Sequence, residues 1–176
     1  PVPEVNRIVN AFTAGALAVN PDVDVKTSFI NSWFDPAAAK EAALAQIDAG
    51  ADLLFAERFG VIEAAAEKGL CAFGNMSDQR ELAPDFVVSG PVWNMQPTVD
   101  YIVNQVKAGA YTAQDLKDFS MAAKGGASLA AINMAVKCGL TQELVDQVTA
   151  KENEIKSGLF RVDINEAPPP ASSKGS

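Results

Sequence analysis

The chain contains no histidine. That removes the side chain most often used as a general acid or base near neutral pH, the Ser-His-Asp and Cys-His arrangements, and nearly every zinc enzyme site. Cysteine is almost as scarce. Cys71 and Cys138 stand far apart and form no CxxC pair, which excludes a metal knuckle and a thioredoxin-like centre. Pairing of the two in an oxidising compartment stays open, with two buried free thiols the favoured reading. Positive charge is also short: 14 Lys and Arg stand against 22 Asp and Glu, for a net charge of −8. The cations form no stripe, so no nucleic-acid partner is expected, because phosphate binding needs clustered Lys and Arg. The acidity reads as solubility instead. No apolar run approaches the roughly 20 residues needed to cross a bilayer. No GxxxxGK[ST] loop and no GxSxG turn is present, so phosphate-loop and nucleophile-elbow chemistry are excluded too. No enzyme is expected on these grounds, and neither a cofactor nor a metal.

What remains is an α/β pattern, in a chain long enough at 176 residues to bury about 70% of its unfolded surface around one core. Val5, Ile8, Val9, Phe12 and Val19 fall at helical spacing and predict an amphipathic helix over Glu4 to Val19, stopped by Asn20-Pro21-Asp22. Val23, Val25, Thr27 and Phe29 alternate with Asp24, Lys26 and Ser28, which is the period of a strand. Asp35-Pro36 supplies an N-cap carboxylate and a proline at the first helical position, opening an alanine-rich helix that runs to Gly50. Ala51 to Phe55 reads as a short buried strand, Gly60 to Lys68 as a helix, and Leu70 to Phe73 and Phe86 to Val88 as strands. Helices are predicted over Pro97 to Ala108, Tyr111 to Phe119, Ser128 to Lys137 and Thr141 to Gly158, with Gly125-Gly126 a break and Leu159 to Val162 a last strand. Residues 1–165 read as one α/β unit, and residues 166–176, with Pro168-Pro169-Pro170, as a disordered tail.

Strands alternating with helices over short connections argue for a parallel sheet with helices on both faces. In such sheets a ligand sits outside the carboxyl ends of the strands. Those ends are Asn31 to Asp35, Ala56 to Gly60, Gly74 to Gln79 and Ser89 to Asn94, and both tryptophans of the chain lie in them. The candidate ligand-binding residues are Asp78, Trp93, Trp33, Asn94, Ser89, Glu57 and Phe34. Most have an alternative use. Asp78 accepts hydrogen bonds from a heterocycle edge, or caps the turn before Glu81. Trp33 and Trp93 offer stacking faces, or pack on the core. Glu57 and Arg58 reach the cleft, or pair with each other. Ser89 bonds a ligand, or finishes its strand. Asp35 reads as an N-cap rather than a ligand group, and Gly125-Gly126 as a helix break rather than a phosphate turn.

The strings NRIVNAFTAGALAVNP, SWFDPAAAKEAA, GADLLF, GVIEAAAEKG, NMSDQ and APDFVVSGPVWN follow in that order from Pro1 to about Val162. Together they closely resemble the basic membrane protein (BMP) family, the periplasmic or lipid-anchored substrate-binding proteins of ABC transporters. The resemblance implies an α/β chain, a parallel-sheet lobe of a type I periplasmic-binding-protein fold truncated at the N-terminus, with the other lobe absent. It implies a purine-like nucleobase or nucleoside as ligand and an ABC permease in the membrane as partner. Capture would be by closure of two lobes, without chemistry. The ligand-binding aspartate of the family's DQ motif falls on Asp78, with aromatics sandwiching the base. Nucleoside-binding members carry a basic residue near the position held here by Pro91, Val92 and Trp93. None stands there, which favours a bare base or another flat heterocycle. Two further expectations follow: such a lobe alone binds weakly or not at all, and its unpaired sheet edge invites dimerisation or swapping. The alternative reading is a ligand-sensing regulatory protein on the same fold, with an enzyme on an α/β sheet less favoured.

Overall fold

A computed structural model describes residues 1–175 of the chain. Helix α1 spans Pro3–Val19, with proline and Glu4 in its first turn where unpaired amides tolerate the one and favour the other. Its Phe12 stacks on Phe55, ring centroids 4.8 Å apart, and meets Phe73 edge-on at 6.2 Å. The next three regular elements are α2 (Pro36–Asp48), strand β1 (Leu53–Phe55) and α3 (Val61–Glu67). Ala39 and Ala43 of α2 and Ala64 and Ala65 of α3 are buried, and side chains this small let the two helices approach closely. Strand β2 (Cys71–Phe73) runs parallel to β1 in the register Leu53↔Cys71, Leu54↔Ala72 and Phe55↔Phe73. The stretch 86–89 extends this sheet on the other edge of β2. Ala72 N donates to Phe86 O at 2.9 Å, Val88 N to Ala72 O at 3.0 Å and Gly74 N to Ser89 O at 2.8 Å. The core lies against this sheet, with Ile62 and Val87 fully buried. Each contributes about 1.5–3 kcal/mol relative to exposure.

Beyond the sheet, β3 (Pro91–Trp93) pairs antiparallel with β4 (Ala127–Leu129), and α4 (Gln96–Lys107) lies between them in sequence. Helix α5 (Gln142–Ser157) is capped by Thr141, whose Oγ1 accepts from Leu144 N at 3.3 Å, and is closed by Gly158 in the left-handed region.

Five expectations change. Val23 to Phe29 keeps the alternation of a strand, with Val23, Val25, Thr27 and Phe29 half-buried, but forms no ladder with β1. Its hydrogen-bonding groups are taken by the chain's end: Thr27 N donates to Ala171 O and Ser173 N to Val25 O, both at 2.9 Å. The segment assigned above to a tail thus runs along 23–27, and α1 holds it from the other side through Asn6 Nδ2 to Glu166 O and Asn10 Nδ2 to Asn165 O. Ser128 to Lys137 is not a helix. It supplies β4 and a turn fixed by Asn133, whose Nδ2 donates to Pro84 O and Val87 O, so pairing across the fold overrides local propensity. Tyr111 to Phe119 is also largely non-helical, held instead by Gln114 on the Tyr101 hydroxyl and by Phe119 on the Tyr101 ring. Leu159 to Val162 forms no strand: the amides of Leu159 and Phe160 turn back to Glu154 O, and no sheet edge faces them among the described residues.

Of the two states open to the cysteines, the favoured one is not found. Cys71 and Cys138 form a disulfide, Cα to Cα 6.2 Å, joining β2 to the turn before α5. The same contact packs Val136 beside Cys71 and Val88.

Candidate functional site

Two groups of side chains gather at the carboxyl ends of the sheet. The first joins the loop before α2 to the loop after β1. Asp35 Oδ1 accepts from Ala38 N at 3.0 Å, so this carboxylate caps α2 as its position before proline implies. Just ahead of it Trp33 is 67% exposed and Phe34 73%, and Asn31 adopts a left-handed backbone with φ +54°. Gly60 brings the second loop in. Its φ is +104°, and a Cβ there would overlap the Pro36 carbonyl oxygen. That close approach sets Phe59 edge-on to Phe34, centroids 6.2 Å apart, and the Arg58 guanidinium 5.2 Å from the centre of the Trp33 ring.

Glu57 precedes Arg58 in the same loop. It forms an ion pair with Arg58, both side chains being largely buried, while its Oε1 is buried with no hydrogen-bond partner. Burial pushes its carboxyl above the usual carboxylate range. Arg58 works in the opposite direction, and Glu4 of α1 adds to the rise. Trp33, Glu57 and Arg58 are among the residues lining a cavity of about 840 Å³ bounded by α1, the 23–30 segment, α2 and β1.

The second group joins the loop after β2 to the stretch leading into β3. Gly74 and Gly90 pass so closely that a Cβ on Gly90 would meet Gly74 O at 2.5 Å. Trp93 N donates to the carbonyl of Met76, itself at φ +67°. Asp78 caps its own turn by accepting from Arg80 N at 3.1 Å, and both its oxygens take the Arg80 guanidinium at 2.6–3.0 Å. Those bonds hold its carboxyl below the usual range. Ser89 is buried and its Oγ donates to Ala130 O at 2.7 Å. Trp93 is half-exposed. Asn94 donates to Gly125 O and accepts from Gln96 N, tying the start of α4 to the Gly125-Gly126 turn.

The structure thus brings Trp33, Phe34 and Glu57 together, and links the loops of Asp78 and Trp93 through backbone. Ser89 and Asn94 have their polar groups engaged inside the chain. Arg58 and Phe59 join the first group although neither stood among the seven candidates. Their place in the same strand-end loop as Glu57 was the available signal. Asn75, buried with Nδ2 unpartnered, is a further polar group of the second loop. Among the described residues no group of three or more His, Cys, Asp or Glu side chains could hold a metal, and no helix is long and apolar enough to cross a membrane. The arrangement offers stacking faces and hydrogen-bond acceptors to a small molecule.

Residues 1–166 match the sequence profile of the family described as ABC transporter substrate-binding protein, PnrA-like. The chain belongs to this family. It is 38% identical over 121 residues to a purine-binding protein of Brucella abortus, covering 66% of this chain and 34% of that protein. It is 30% identical over 159 residues to a protein of Haloferax volcanii named for ABC-transporter glucose binding, covering 88% of this chain and 39% of the other. It thus spans a little over a third of the length of these curated relatives. Among solved structures, a solute-binding protein of an ABC transporter system from Conexibacter woesei superposes with a TM-score of 0.63 at 22% identity, over 86% of this chain and 50% of that one. A transcriptional activator of the comK gene from Bacillus halodurans superposes with a TM-score of 0.58 at 20% identity, over 75% and 46%. The fold is therefore that of part of a solute-binding lobe, α/β with a parallel sheet, as the resemblance implied.

Proposed function

We propose that this chain is the ligand-binding lobe of an ABC-importer substrate-binding protein, and that it captures a purine-like nucleobase or nucleoside when a second lobe closes on it. The observation that carries the reading is the aromatic group at the sheet's carboxyl ends, where Trp33 presents most of its ring to solvent and Phe34 and Phe59, both exposed, meet edge-on in the same two loops. A flat heterocycle stacks on such a ring for about 1–3 kcal/mol. Glu57 and Asp78 supply acceptors for its N–H groups, each by exchanging part of its pairing with Arg58 or Arg80 for the ligand. The purine-binding relative supports the ligand class, and Asp78 lies in the NMSDQ string that carries the resemblance. Trp93 completes the aromatic set from the neighbouring loop. Binding would involve no covalent step, with delivery to a membrane permease. The disulfide suits an oxidising location, in keeping with a periplasmic or lipid-anchored protein. A ligand-sensing regulator is the second reading, favoured by the likeness to the comK activator and by 29% identity over 111 residues to the activator protein med of Bacillus subtilis.

Saturation-transfer NMR with adenine, guanosine and glucose at millimolar concentration tests the ligand class without requiring tight binding. Adenine ring protons are expected to receive saturation, guanosine less, and glucose none. Transfer to glucose with none to either purine would overturn the reading in favour of a sugar.

A further inference from the structure

We propose that the cavity bounded by α1, the 23–30 segment, α2 and β1 is a strand slot, filled by an extended apolar peptide segment joined to Pro1. That segment adds as a central strand between residues 23–29 and β1, whichever ligand the site binds. Two rows of backbone groups define the slot. Thr27 N and Val25 O bond the chain's end, and Val25 N takes Ser173 Oγ at 2.9 Å, so one edge of the 23–29 segment is occupied. Extended chain turns alternate residues to opposite sides, which puts Asp24, Lys26 and Ser28 on the other edge. There, among the described residues, the only backbone group with a partner is Lys26 O, which accepts from Gln46 Nε2 at 3.3 Å. On β1, Ala56 N donates to Phe73 O at 2.8 Å, which puts Leu54 in the row facing β2 and turns the backbone groups of Leu53 and Phe55 outward. Leu53 N, Leu53 O and Phe55 N find no partner on that side among the described residues.

The walls decide what fits. Leu54 and Ala72 pack in the cluster with α2 and α3, whereas Phe55 and Phe73, one residue on, meet Phe12 of α1. The helices thus cover opposite faces of the sheet, and both reach past the edge of β1. Val5, Val9 and Phe12 line the cavity from one face, Ala39, Ala42 and Ala43 from the other. A strand covered on both faces is a continuous apolar run rather than an alternating one. At about 840 Å³ the space is far larger than the voids a packed interior keeps. Pro1 and Val2 line it too, so a segment joined to Pro1 enters it directly. That segment, α1 and residues 23–29 then form a βαβ unit, with the crossover helix that parallel neighbours require. This chain spans a little over a third of its curated relatives, so a longer protein has residues to supply. The added strand ends at Pro1, which lines the cavity together with Trp33, Glu57 and Arg58, so filling the slot also brings a further strand-end loop to the candidate site.

The test extends the chain ahead of Pro1 by Val-Ile-Val-Ile-Val-Gly-Gly. The control extension is Val-Ile-Pro-Ile-Val-Gly-Gly, because proline lacks the amide that a central strand needs. Amide hydrogen exchange is read by NMR at Asp24, Lys26, Ser28, Leu53 and Phe55, with size-exclusion chromatography for oligomeric state. The extended chain is expected to stay monomeric and to exchange at least about tenfold more slowly than the parent on both edges. The proline control is expected to match the parent. Slowing at Leu53 and Phe55 without slowing at Asp24, Lys26 and Ser28 means addition to an edge and overturns the slot. Slowing that comes only with dimerisation, or no slowing at all, overturns it too. Should the extended chain not fold, the same peptide with a lysine tail is added at millimolar concentration to the parent chain. The same amides then decide, and unchanged exchange overturns the proposal.

Discussion

Burial raises the affinity of Glu57 for its proton more than Arg58 lowers it, so the folded chain holds that proton more tightly than the unfolded chain does. A carboxyl raised in this way contributes stability that is fully present below its unfolded pKa and is lost as pH rises through the folded value. Glu57→Gln does not titrate. The melting temperature of the unsubstituted chain minus that of Glu57→Gln should therefore fall as pH rises from below the ordinary glutamate range of about 4.3 to well above it, as followed by thermal circular dichroism. A difference that rises with pH instead contradicts the assignment. Trp33 gives a prediction of the opposite kind. Its ring is mostly exposed, so Trp33→Ala should leave the melting temperature nearly unchanged while weakening adenine binding by about 1–3 kcal/mol, roughly 5- to 150-fold in Kd. At this scale the sequence was legible where chemistry is local. An aspartate followed by proline announces a cap, and Asp35 is one. The stacking of Arg58 over Trp33 was not legible, because it depends on how closely two separate loops approach.

Gly60 controls that approach, and it is the element-scale feature most open to test. Its positive φ and the absence of a Cβ let the turn into α3 press on the first turn of α2. Gly60→Ala should lower unfolding free energy in urea by about 1–3 kcal/mol. Gly109→Ala also has a positive φ but open space around it, and should lower it by only about 1 kcal/mol. Equal effects would mean that the contact between the α2 and α3 turns is unimportant. The elements around this turn were readable because caps, alanine-rich faces and short apolar runs encode them locally. The failures share a cause. Val23 to Phe29 has strand periodicity, yet a strand needs a partner edge, and residues far along the chain supply its hydrogen bonds instead. Ser128 to Lys137 has helix-forming residues, yet pairing with Pro91–Trp93 and the bonds of Asn133 decide its course. Period and propensity do not report which distant segment arrives.

Across the whole molecule, the disulfide closes a loop of sequence separation 67 between the sheet and the start of the last helix. By the loop-closure relation such a bridge is worth about 4 kcal/mol. Thiol titration of the unfolded, unreduced chain should find no free thiol, and the Cys71→Ser, Cys138→Ser double variant should melt well below the parent; two free thiols or an unchanged melt would contradict this. Composition could not reveal the bridge, since two cysteines far apart in sequence pair only if the fold delivers them to the same place. The resemblance did carry the family and the fold class, because it rests on the order of several motifs along most of the chain. The central claim, that the carboxyl end of the sheet stacks a flat heterocycle, comes down to Trp33. The chain has two tryptophans and so two indole N–H resonances, assigned by a Trp33→Phe variant. In a ¹⁵N-edited NMR titration with millimolar adenine, the account predicts a saturable shift of the Trp33 resonance that glucose does not produce. A Trp33 resonance that stays in place with adenine, or moves equally with glucose, would contradict it.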